Sequence, residues 1–399
     1  AKQVTWLPAS GVNRISAMLE KRPDWCISRQ RSWGVPITIF HCKSCNQPVL
    51  KKEVFDHVAN LLQEKGSDFW FTSIAEDLLP PGLTCHCGGN TFKKDTNTLD
   101  VWFDSGVSHS VVSEAAGIGW PSDLYLEGSD QHRGWFQSSL LTALATGRET
   151  APYKSVLTHG FINDLDGKKM SKSEGNVISP QTLIDKYGAD TVRLWAISEN
   201  IRQDVDFSVE TMSRVADTYR KIRNSFRFML SNLYDFKKDA ELNHPSYTPS
   251  LLDRWIINKT FVLIQEMTDA YEKLEFNKIY QALTNFVSVD LSAIYFDVVK
   301  EILYTEAANS PTRKAVQGTL FMISQLLCRS VAPILSFTAE EVWAHLGYKT
   351  SVFLSYFEDM TDLYKPEVER TCSELLQIRD EVLKAMEKAK QQKIISHPR

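Results

Sequence analysis

The sequence predicts an α/β domain followed by an all-α helical bundle. Up to about residue 200, short β-rich runs such as SVLTHGFI at 155–162 alternate with helical segments such as 131–145, which is typical of a sheet covered by helices. Beyond that point apolar residues recur every three or four positions, for example over 209–233. We therefore expect helices that pack as a bundle over 201–350, and a connector with a charged helix over 351–399.

Size and charge narrow the classes of protein. With 399 residues, of which 43% are hydrophobic and 24% charged, the chain is long enough for more than one core. It has no signal-peptide pattern and no apolar run of about 20 residues, so we expect a cytoplasmic protein without membrane contact. The formal net charge of -4 gives no overall basic footprint for a nucleic acid. Basic residues nevertheless cluster locally, and one cluster comprises Arg214, Arg220, Lys221, Arg223 and Arg227.

Four of the seven cysteines form two tight pairs. Cys42 and Cys45 make a C-x-x-C pair, and Cys85 and Cys87 make a C-x-C pair that is followed by two glycines. Four thiolates at this spacing predict a closed tetrahedral zinc site, which is structural because it leaves no position for water. Isolated buried thiols and disulfides are the alternatives, and neither explains the clustering.

A loop rich in lysine and serine has the composition of a phosphate-binding site. Lys169 and Lys172 can project two ammonium groups, while Ser171, Ser173 and nearby backbone amides offer neutral donors. These groups suit a polyphosphate leaving group, on which negative charge accumulates. Judged by composition alone, such a turn is more often a solvated surface loop.

A second polar segment, DLYLEGSDQHRGWF at 123–136, has the pattern of a buried strand, a glycine turn and a helix that begins around Gln131. Glu127 and Asp130 then lie at the carboxyl end of a strand, where α/β sheets bind ligands and where carboxylates can accept ribose hydroxyls. An acidic pair at a turn is otherwise more often a cap. Trp135 follows Gln131 by four residues, so the prediction places both on one helix face.

These motifs resemble a known family. The segment KMSKS at 169–173 is identical to a signature of the class I aminoacyl-tRNA synthetases. Three further stretches resemble the isoleucine enzymes of that class: RPDWCISRQRSWGVPI at 22–37, DVWFDSG at 100–106 and EGSDQHRGWF at 127–136. The valine enzymes share DWCISRQ but diverge at the other two stretches.

The resemblance implies a fragment of a larger enzyme. Residues 1–200 correspond to the second half of a Rossmann-type catalytic domain with a zinc-knuckle insertion at 40–98, and 201–350 to a helical anticodon-binding domain, with the connector and C-terminal helix at 351–399. Neither the HIGH motif of such catalytic domains nor an editing domain is found in the sequence. We therefore expect that this chain alone does not activate an amino acid.

The family's reaction supplies expectations for individual residues. L-isoleucine attacks the α-phosphorus of ATP, which binds with Mg²⁺, and the aminoacyl group is then transferred to tRNA(Ile). The resemblance implies catalytic roles for Lys169 and Lys172. It implies ATP binding by Glu127, Gly128, Asp130, His159, Gly160, Met170, Ser171, Lys172 and Ser173. It implies isoleucine binding by Trp102, Gln131 and Trp135, and we take the basic cluster at 214–227 as the candidate for contact with the tRNA backbone.

Two alternatives stay open. The parent protein could be a valine-type synthetase, or the chain could come from a non-catalytic tRNA-binding protein derived from a synthetase. The missing HIGH motif favours the second alternative, whereas the intact KMSKS loop disfavours it, because a binding protein has no use for a pyrophosphate clamp. We expect a monomer in either case.

Overall fold

The computed structural model describes residues 1–238, 244, 248–357 and 361–395. The chain divides into two compact units, Ala1–Gly160 and Phe161–Arg399. The composition change near residue 200 lies inside the second unit, because Leu183 and Leu194 pack with the helical core of that unit.

The first unit is an α/β layer built on a parallel sheet. Its strands are β1 (Thr5–Leu7), β2 (Ser28–Arg29), β3 (Phe40–Cys42), β4 (Phe92–Lys94), β5 (Thr98–Leu99), β6 (Ser122–Gly128) and β7 (Tyr153–His159). Its α-helices are α1 (Gly11–Glu20), α2 (Lys52–Lys65), α3 (Asp68–Thr72), α4 (Ala75–Leu78), α5 (Val101–Gly106) and α6 (Trp135–Ala145). A π-helix spans His109–Glu114, and a 3₁₀ turn spans Ser129–His132.

Three of these strands form the main sheet, in the order β1-β7-β6, and all are parallel. Apolar side chains of the sheet pack against α1 and α6 in one core, which includes Trp6, Ile15, Tyr125, Phe136 and Tyr153. The α/β prediction for this half of the chain is confirmed. Since parallel strands end at the same edge, the loops after β6 and β7 are neighbours.

A small module is inserted between β2 and β5, which pair antiparallel at its base. Within it β3 pairs antiparallel with β4, and α2, α3 and α4 cover this hairpin. Its own core contains Phe40, Val54, Val58, Trp70 and Phe92. The module therefore has a hydrophobic core separate from that of the main sheet.

The second unit is mainly helical, which confirms the predicted bundle. A short parallel pair, β8 (Ile162–Asn163) and β9 (Val205–Asp206), accompanies the helices. The helices are α7 (Pro180–Tyr187), α8 (Ala189–Ser198), α9 (Val209–Ser231), α10 (Leu251–Glu272), α11 (Phe276–Asn285), α12 (Asp297–Thr305), α13 (Pro311–Val331), α14 (Ser336–His345) and α15 (Pro366–Gln391). A π-helix at Phe286–Phe296 joins α11 to α12, and 3₁₀ turns lie at Val352–Leu354 and Thr361–Leu363.

The continuous helix Phe276–Thr305 is long and apolar enough to span a membrane, with a mean hydropathy of 1.3. Asp290 and Asp297 interrupt the apolar residues of this helix, so the sequence shows no continuous apolar run here. Leu283 and Leu291 of this helix are buried in the bundle core, and core helices of other proteins meet the same criteria of length and hydropathy. We therefore describe it as a core helix.

Candidate functional site

The carboxyl edge of the main sheet carries the predicted adenosine-binding residues of the first unit. Gly128, at the end of β6, lies opposite His159, at the end of β7, and Glu127 lies opposite Thr158. Glu127 and Asp130 are exposed at this edge. The Nδ1 atom of His159 lies 2.7 Å from the carbonyl oxygen of Gly160. The structure thus brings together Glu127, Gly128, Asp130, His159 and Gly160.

The helix predicted to begin around Gln131 begins later. Residues Ser129–His132 form a 3₁₀ turn, and the α-helix starts at Trp135. Gln131 and Trp135 are nevertheless in contact, because the Gln131 Oε1 atom accepts a hydrogen bond from the backbone N–H of Trp135 at 3.1 Å. This hydrogen bond, rather than a shared helix face, places the two residues together.

Gly134 sits at the junction of the turn and α6, where no larger residue fits. A Cβ atom at this position would lie 2.6 Å from Gln131 Oε1 and 2.8 Å from Cη2 of Trp102. Both distances are shorter than any stable contact, so glycine allows Trp102 and Gln131 to approach one another. Trp102 keeps 41% of its surface exposed, and can therefore form the wall of a pocket. Gly134 was not among the residues predicted from the sequence, although a glycine directly before a helix was the available signal.

The indole ring of Trp135 lies in the core of the first unit. It stacks on Tyr125 with ring centroids 4.0 Å apart, and its Nε1–H donates to the carbonyl oxygen of Ser105 at 2.9 Å. The ring is half-buried, so its position is fixed by packing. Its predicted role in isoleucine binding stays a prediction.

Asp100 is a buried carboxylate that orders the segment before Trp102. Its Oδ2 atom accepts hydrogen bonds from Arg29 at 2.6 Å and from the indole N–H of Trp25 at 2.9 Å. Its Oδ1 atom accepts from the backbone N–H of Trp102 at 3.2 Å and so caps α5. Asp100 lies in the DVWFDSG motif but was not predicted as a site residue, because its partners Trp25 and Arg29 are distant in sequence.

His132 is a second buried polar group near the same edge. Its ring stacks on Trp6 with centroids 5.5 Å apart, and its Nδ1 atom lies 2.8 Å from the carbonyl oxygen of Ser129. Burial lowers the pKa of His132, and the positive charge of Arg14 lowers it further. The imidazole is therefore held neutral near pH 7.

The KMSKS loop belongs to the second unit and is organised by Asp164 and Asn176. Asp164 Oδ1 accepts hydrogen bonds from the backbone N–H groups of Asp166 and Lys168, which forms a tight turn. Asn176 donates from Nδ2 to Asp164 Oδ2 at 2.8 Å and accepts at Oδ1 from the backbone N–H of Ser171 at 2.9 Å. The hydrogen bond from Asn176 lowers the pKa of Asp164.

Within this loop the side chains have different surroundings. Met170 packs against the helical core, which anchors the middle of the motif. Lys169 is exposed, and its ammonium group lies 3.3 Å from the centroid of the Phe161 ring. Lys172 and Ser173 are exposed, and the hydroxyl groups of Ser171 and Ser173 are 3.0 Å apart. The loop therefore presents two ammonium groups and two hydroxyl groups on an anchored backbone.

The four clustered cysteines converge on one point of the inserted module. The sulfur atoms of Cys42 and Cys87 are 3.6 Å apart, as are those of Cys45 and Cys85, and all four lie within 4.8 Å of one another. A tetrahedral zinc with bonds of about 2.3 Å requires sulfur atoms about 3.8 Å apart. The arrangement fits a zinc ion held by four thiolates.

Two local features support this geometry. A Cβ atom at Gly89 would lie 3.0 Å from Cys42 Sγ and 2.8 Å from Ser44 Oγ, so glycine is required where the second cysteine pair approaches the first. The backbone N–H of Cys45 lowers the pKa of the Cys42 thiol, whereas burial and the neighbouring cysteines raise the pKa of the Cys45 thiol. His41 is turned toward Asp95, with Nε2 3.4 Å from Oδ2, and His86 contacts Cys85 at 3.4 Å.

The basic cluster predicted to contact tRNA lies on α9, and all five of its side chains are exposed. Helical geometry divides it into two groups, because residues three, four or seven apart share a side of a helix. Arg223 forms a two-pronged ion pair with Glu341 at 2.8 and 3.0 Å, and Arg220 pairs with Asp217. By residue spacing, Arg214 and Lys221 lie on one side of α9, and Arg220, Arg223 and Arg227 lie on another side.

Comparisons with known proteins cover most of the chain. The sequence model of the tRNA synthetases of class I (I, L, M and V) matches residues 1–208, and that of the anticodon-binding domain of tRNA ligases matches residues 253–399. Helix α9 lies between the two matches. Among solved structures, LeuRS of Agrobacterium radiobacter K84, determined in a ternary complex with tRNA and LeuAMS, superposes with a TM-score of 0.62. That comparison has 21% identity and covers 90% of this chain and 46% of the other, so it shows a shared fold.

Proteins named isoleucine--tRNA ligase are similar along the whole chain. Those of Sulfurihydrogenibium sp. (strain YO3AOP1) and Aquifex aeolicus (strain VF5) are each 48% identical over 100% of this chain, and that of Caldanaerobacter subterraneus subsp. tengcongensis is 46% identical over 99%. The chain spans 43%, 42% and 43% of these relatives, respectively. From the family match over its first 208 residues, together with the parallel sheet and the KMSKS loop, the chain belongs to the class I tRNA synthetases of the I, L, M and V group.

Proposed function

We propose that this chain is part of an isoleucine--tRNA ligase, which activates L-isoleucine with ATP and transfers it to tRNA(Ile). The observation that carries the proposal is the similarity of the whole chain to proteins named isoleucine--tRNA ligase, at 48% identity. The anchored KMSKS loop supports it, because a loop that presents two ammonium groups suits a reaction in which pyrophosphate leaves.

In the proposed reaction the isoleucine carboxylate attacks the α-phosphorus of ATP, which is bound with Mg²⁺. Lys169 and Lys172 neutralise the charge that builds on the departing pyrophosphate, while Ser171 and Ser173 donate neutral hydrogen bonds. Glu127 and Asp130 accept the ribose hydroxyls, and Gly128, His159, Gly160 and Met170 complete the proposed ATP site. No covalent enzyme intermediate is needed, so catalysis rests on positioning and on preorganised charge.

The proposed isoleucine site lies around Gly134. Trp102 offers an exposed aromatic wall, and Gln131 lies against it because Gly134 has no side chain. Trp135 fixes Gln131 through its backbone N–H. Apolar walls select a branched aliphatic side chain by size, and they leave a polar amino acid without hydrogen-bond partners.

The zinc ion is proposed to be structural. Cys42, Cys45, Cys85 and Cys87 would hold it, and four thiolates leave no open position for a substrate. When bound, the ion supplies cross-links that hold the inserted module together. We also propose that the five basic residues of α9 contact the tRNA backbone, that the protein is a monomer and that it acts in the cytoplasm.

Formation of isoleucyl-tRNA tests the proposal. A protein of the relatives' full length that contains this sequence is expected to attach isoleucine to tRNA(Ile), and Lys172→Ala is expected to lower kcat by about 100-fold or more. Lys186→Ala, which removes an exposed lysine of α7 outside the loop, is the matched control. Unchanged isoleucylation in Lys172→Ala would contradict the proposed role of the loop.

A second candidate is a non-catalytic tRNA-binding protein derived from a synthetase. The observation that favours it is the match of residues 253–399 to the anticodon-binding domain of tRNA ligases, because such a domain accounts for tRNA binding without any catalysis. It predicts tRNA binding without isoleucylation, even by the full-length protein. We expect this chain by itself to be inactive under both hypotheses, so only the full-length protein separates them.

A further inference from the structure

The two lysines of the KMSKS loop differ in how they are held. The ammonium group of Lys169 lies 3.3 Å from the centroid of the Phe161 ring, whereas Lys172 contacts no aromatic ring and no carboxylate in the described part of the chain. A positive charge over a ring is attracted by the negative face of the π-system. The ammonium group of Lys169 therefore has a preferred position before any ligand arrives.

The backbone brings this ring and this lysine to one face of a short hairpin. Asn163 pairs antiparallel with Lys169, and the N–H of Met170 donates to the carbonyl oxygen of Ile162 at 2.9 Å. Side chains two residues apart on a strand point to the same face, so Phe161 is the diagonal neighbour of Lys169. A diagonal neighbour is within reach of a long side chain. The contact between ring and ammonium group thus follows from the register of the hairpin.

Phe161 is itself held by the neighbouring segment. Its backbone N–H donates to Oδ1 of Asp204 at 2.8 Å, and its carbonyl oxygen accepts from the N–H of Val205 at 2.9 Å. The side chain is half-buried. Both hydrogen-bonding groups of the Phe161 backbone are therefore occupied, and the ring stands on a fixed base. A flexible lysine side chain is ordered more effectively by a fixed partner than by a second mobile side chain, because only one of the two then loses conformational freedom.

The ring orders the ammonium group of Lys169 without cancelling its charge. Three carboxylates lie in or next to the β8–β9 pair, and each accepts hydrogen bonds from neutral donors instead: Asp164, Asp204 and Asp206. None of the three forms an ion pair with Lys169 in the described part of the chain. An ammonium group has three N–H donors, so contact with a ring face leaves donors free for phosphate oxygens. The full positive charge of Lys169 therefore stays available to an anion.

We propose that Phe161 is a positioning residue, which holds the ammonium group of Lys169 ready for the pyrophosphate that leaves during amino-acid activation. The role of Phe161 rests on the proposed function and adds to it a residue outside the KMSKS motif. The ring acts through Lys169 and does not touch the reacting atoms. A charge that is already in place needs no reorganisation at the moment of reaction, so the contact raises the rate of activation.

Exchange of pyrophosphate into ATP by the full-length protein measures this effect on the rate. The strength of a cation–π contact at an exposed site corresponds to a factor of about 2 to 5. Phe161→Leu should therefore lower kcat by about this factor and leave the KM for isoleucine unchanged. Phe161→Tyr keeps an aromatic ring and should retain the wild-type kcat. Phe337→Leu, which removes an exposed ring from α14 of the same unit, is the matched control and should also retain it.

A double-mutant cycle and fluorinated rings separate the cation–π contact from ordinary packing. In a Lys169→Ala background, Phe161→Leu should have no further effect on kcat, because the ring acts only through that lysine. Phenylalanines with one, two and three fluorine atoms at position 161 keep the shape of the ring but weaken its negative face stepwise, so kcat should fall in that order. An equal effect of Phe161→Leu in both backgrounds, or a kcat that does not respond to fluorination, overturns the inference.

The resting contact can be observed in this chain without any substrate. In a sample labelled with ¹³C-lysine, the NMR signals of the ε-CH₂ protons of Lys169 should lie upfield of those of Lys172, because the ring current of Phe161 shields them. Lys169→Arg identifies the signal by removing it, and Phe161→Leu should abolish the upfield shift. A signal of Lys169 that is not shifted in the wild-type chain overturns the inference.

The two measurements distinguish a failure of this inference from a failure of the proposed function. If the wild-type full-length protein exchanges with isoleucine and Phe161→Leu exchanges equally fast, the role of Phe161 is refuted and the proposed function stands. If the wild-type full-length protein shows no exchange, the proposed function is refuted. The role of Phe161 in activation then falls with it, even where the NMR shift shows that the ring contacts Lys169.

Discussion

The side-chain amide of Asn176 donates a 2.8 Å hydrogen bond to the carboxylate of Asp164, and thereby joins the two ends of the KMSKS loop. The same side chain accepts from the backbone N–H of Ser171 inside the motif. One residue thus fixes the turn before the motif and the backbone within it. Since Asn176 touches neither lysine side chain in these hydrogen bonds, it acts as a positioning residue.

Replacing Asn176 should loosen the loop without unfolding the unit. Asn176→Ala removes the two short hydrogen bonds and a longer one, of 3.5 Å, to the backbone carbonyl of Lys169. Each short bond is worth about 0.5 to 1.5 kcal/mol, so the open population of the loop should rise on the order of 10-fold. Limited digestion with trypsin checks this, because Lys169 and Lys172 are exposed cleavage sites within the loop. Gln181→Ala, which removes a hydrogen bond between exposed side chains on α7, is the control. Equal cleavage rates in the wild-type protein and in Asn176→Ala would show that the Asn176 bonds do not order the loop.

The sequence predicted those parts of the site that depend on neighbouring residues. The KMSKS string, the strand that ends at Gly128 and the cysteine pairs are local patterns, and the structure places them as local rules require. It did not predict that α6 begins only at Trp135, although Gly134, which directly precedes the helix and has a non-helical backbone conformation, was a local signal for that start.

Most of the site features that the sequence did not predict depend on partners that are distant along the chain. Asp100 meets Trp25 and Arg29 through the fold, 75 and 71 residues away, and no local pattern reveals such a pairing.

The charge cluster on α9 was visible in the sequence. Its division into two groups follows from the geometry of the helix and could have been predicted from residue spacing.

The inserted module should bind one zinc ion per chain. Cys42→Ala is expected to reduce the bound zinc, measured by atomic emission after dialysis, from about one ion to a small fraction, because three thiolates leave the site open to water. Cys26→Ala removes an exposed cysteine outside the cluster and should keep the full amount. Equal zinc content in the two variants would contradict the assignment of the site.

Loss of Asp100 should destabilise the first unit. Asp100→Ala leaves Arg29 and Trp25 without their acceptor and removes the cap of α5, at a cost of about 2 to 3 kcal/mol after allowance for the partial exposure of Arg29. The free energy of unfolding in urea, followed by tryptophan fluorescence, measures this. Asp123→Ala breaks an exposed ion pair with Lys154 in the same unit and should cost less than about 0.5 kcal/mol. Similar costs for both variants would refute the structural role of Asp100.

His132 should make the first unit less stable in acid. Its pKa in the folded protein is lowered, mainly by burial, so the unfolded chain binds the proton more readily below about pH 6.5. The contribution of His132 to the free energy of unfolding is therefore fully present above that pH. This contribution is lost as the pH falls toward the pKa of His132 in the folded protein. Urea unfolding at pH 7 and pH 5 should show a smaller loss of stability for His132→Gln than for the wild-type protein. A pH dependence that is the same in both proteins would exclude His132 as its source.

Amino-acid-dependent exchange of pyrophosphate into ATP measures whether the parent protein activates isoleucine. The full-length protein that contains this sequence should exchange with isoleucine in preference to valine by a factor of about 10 to 200, which is the discrimination already known for isoleucine enzymes of this class rather than a value obtained from this structure. The chain described here should show no exchange by itself. Exchange that is as fast with valine as with isoleucine would refute the assignment to isoleucine, and isoleucine-dependent exchange by this chain alone would refute its expected inactivity.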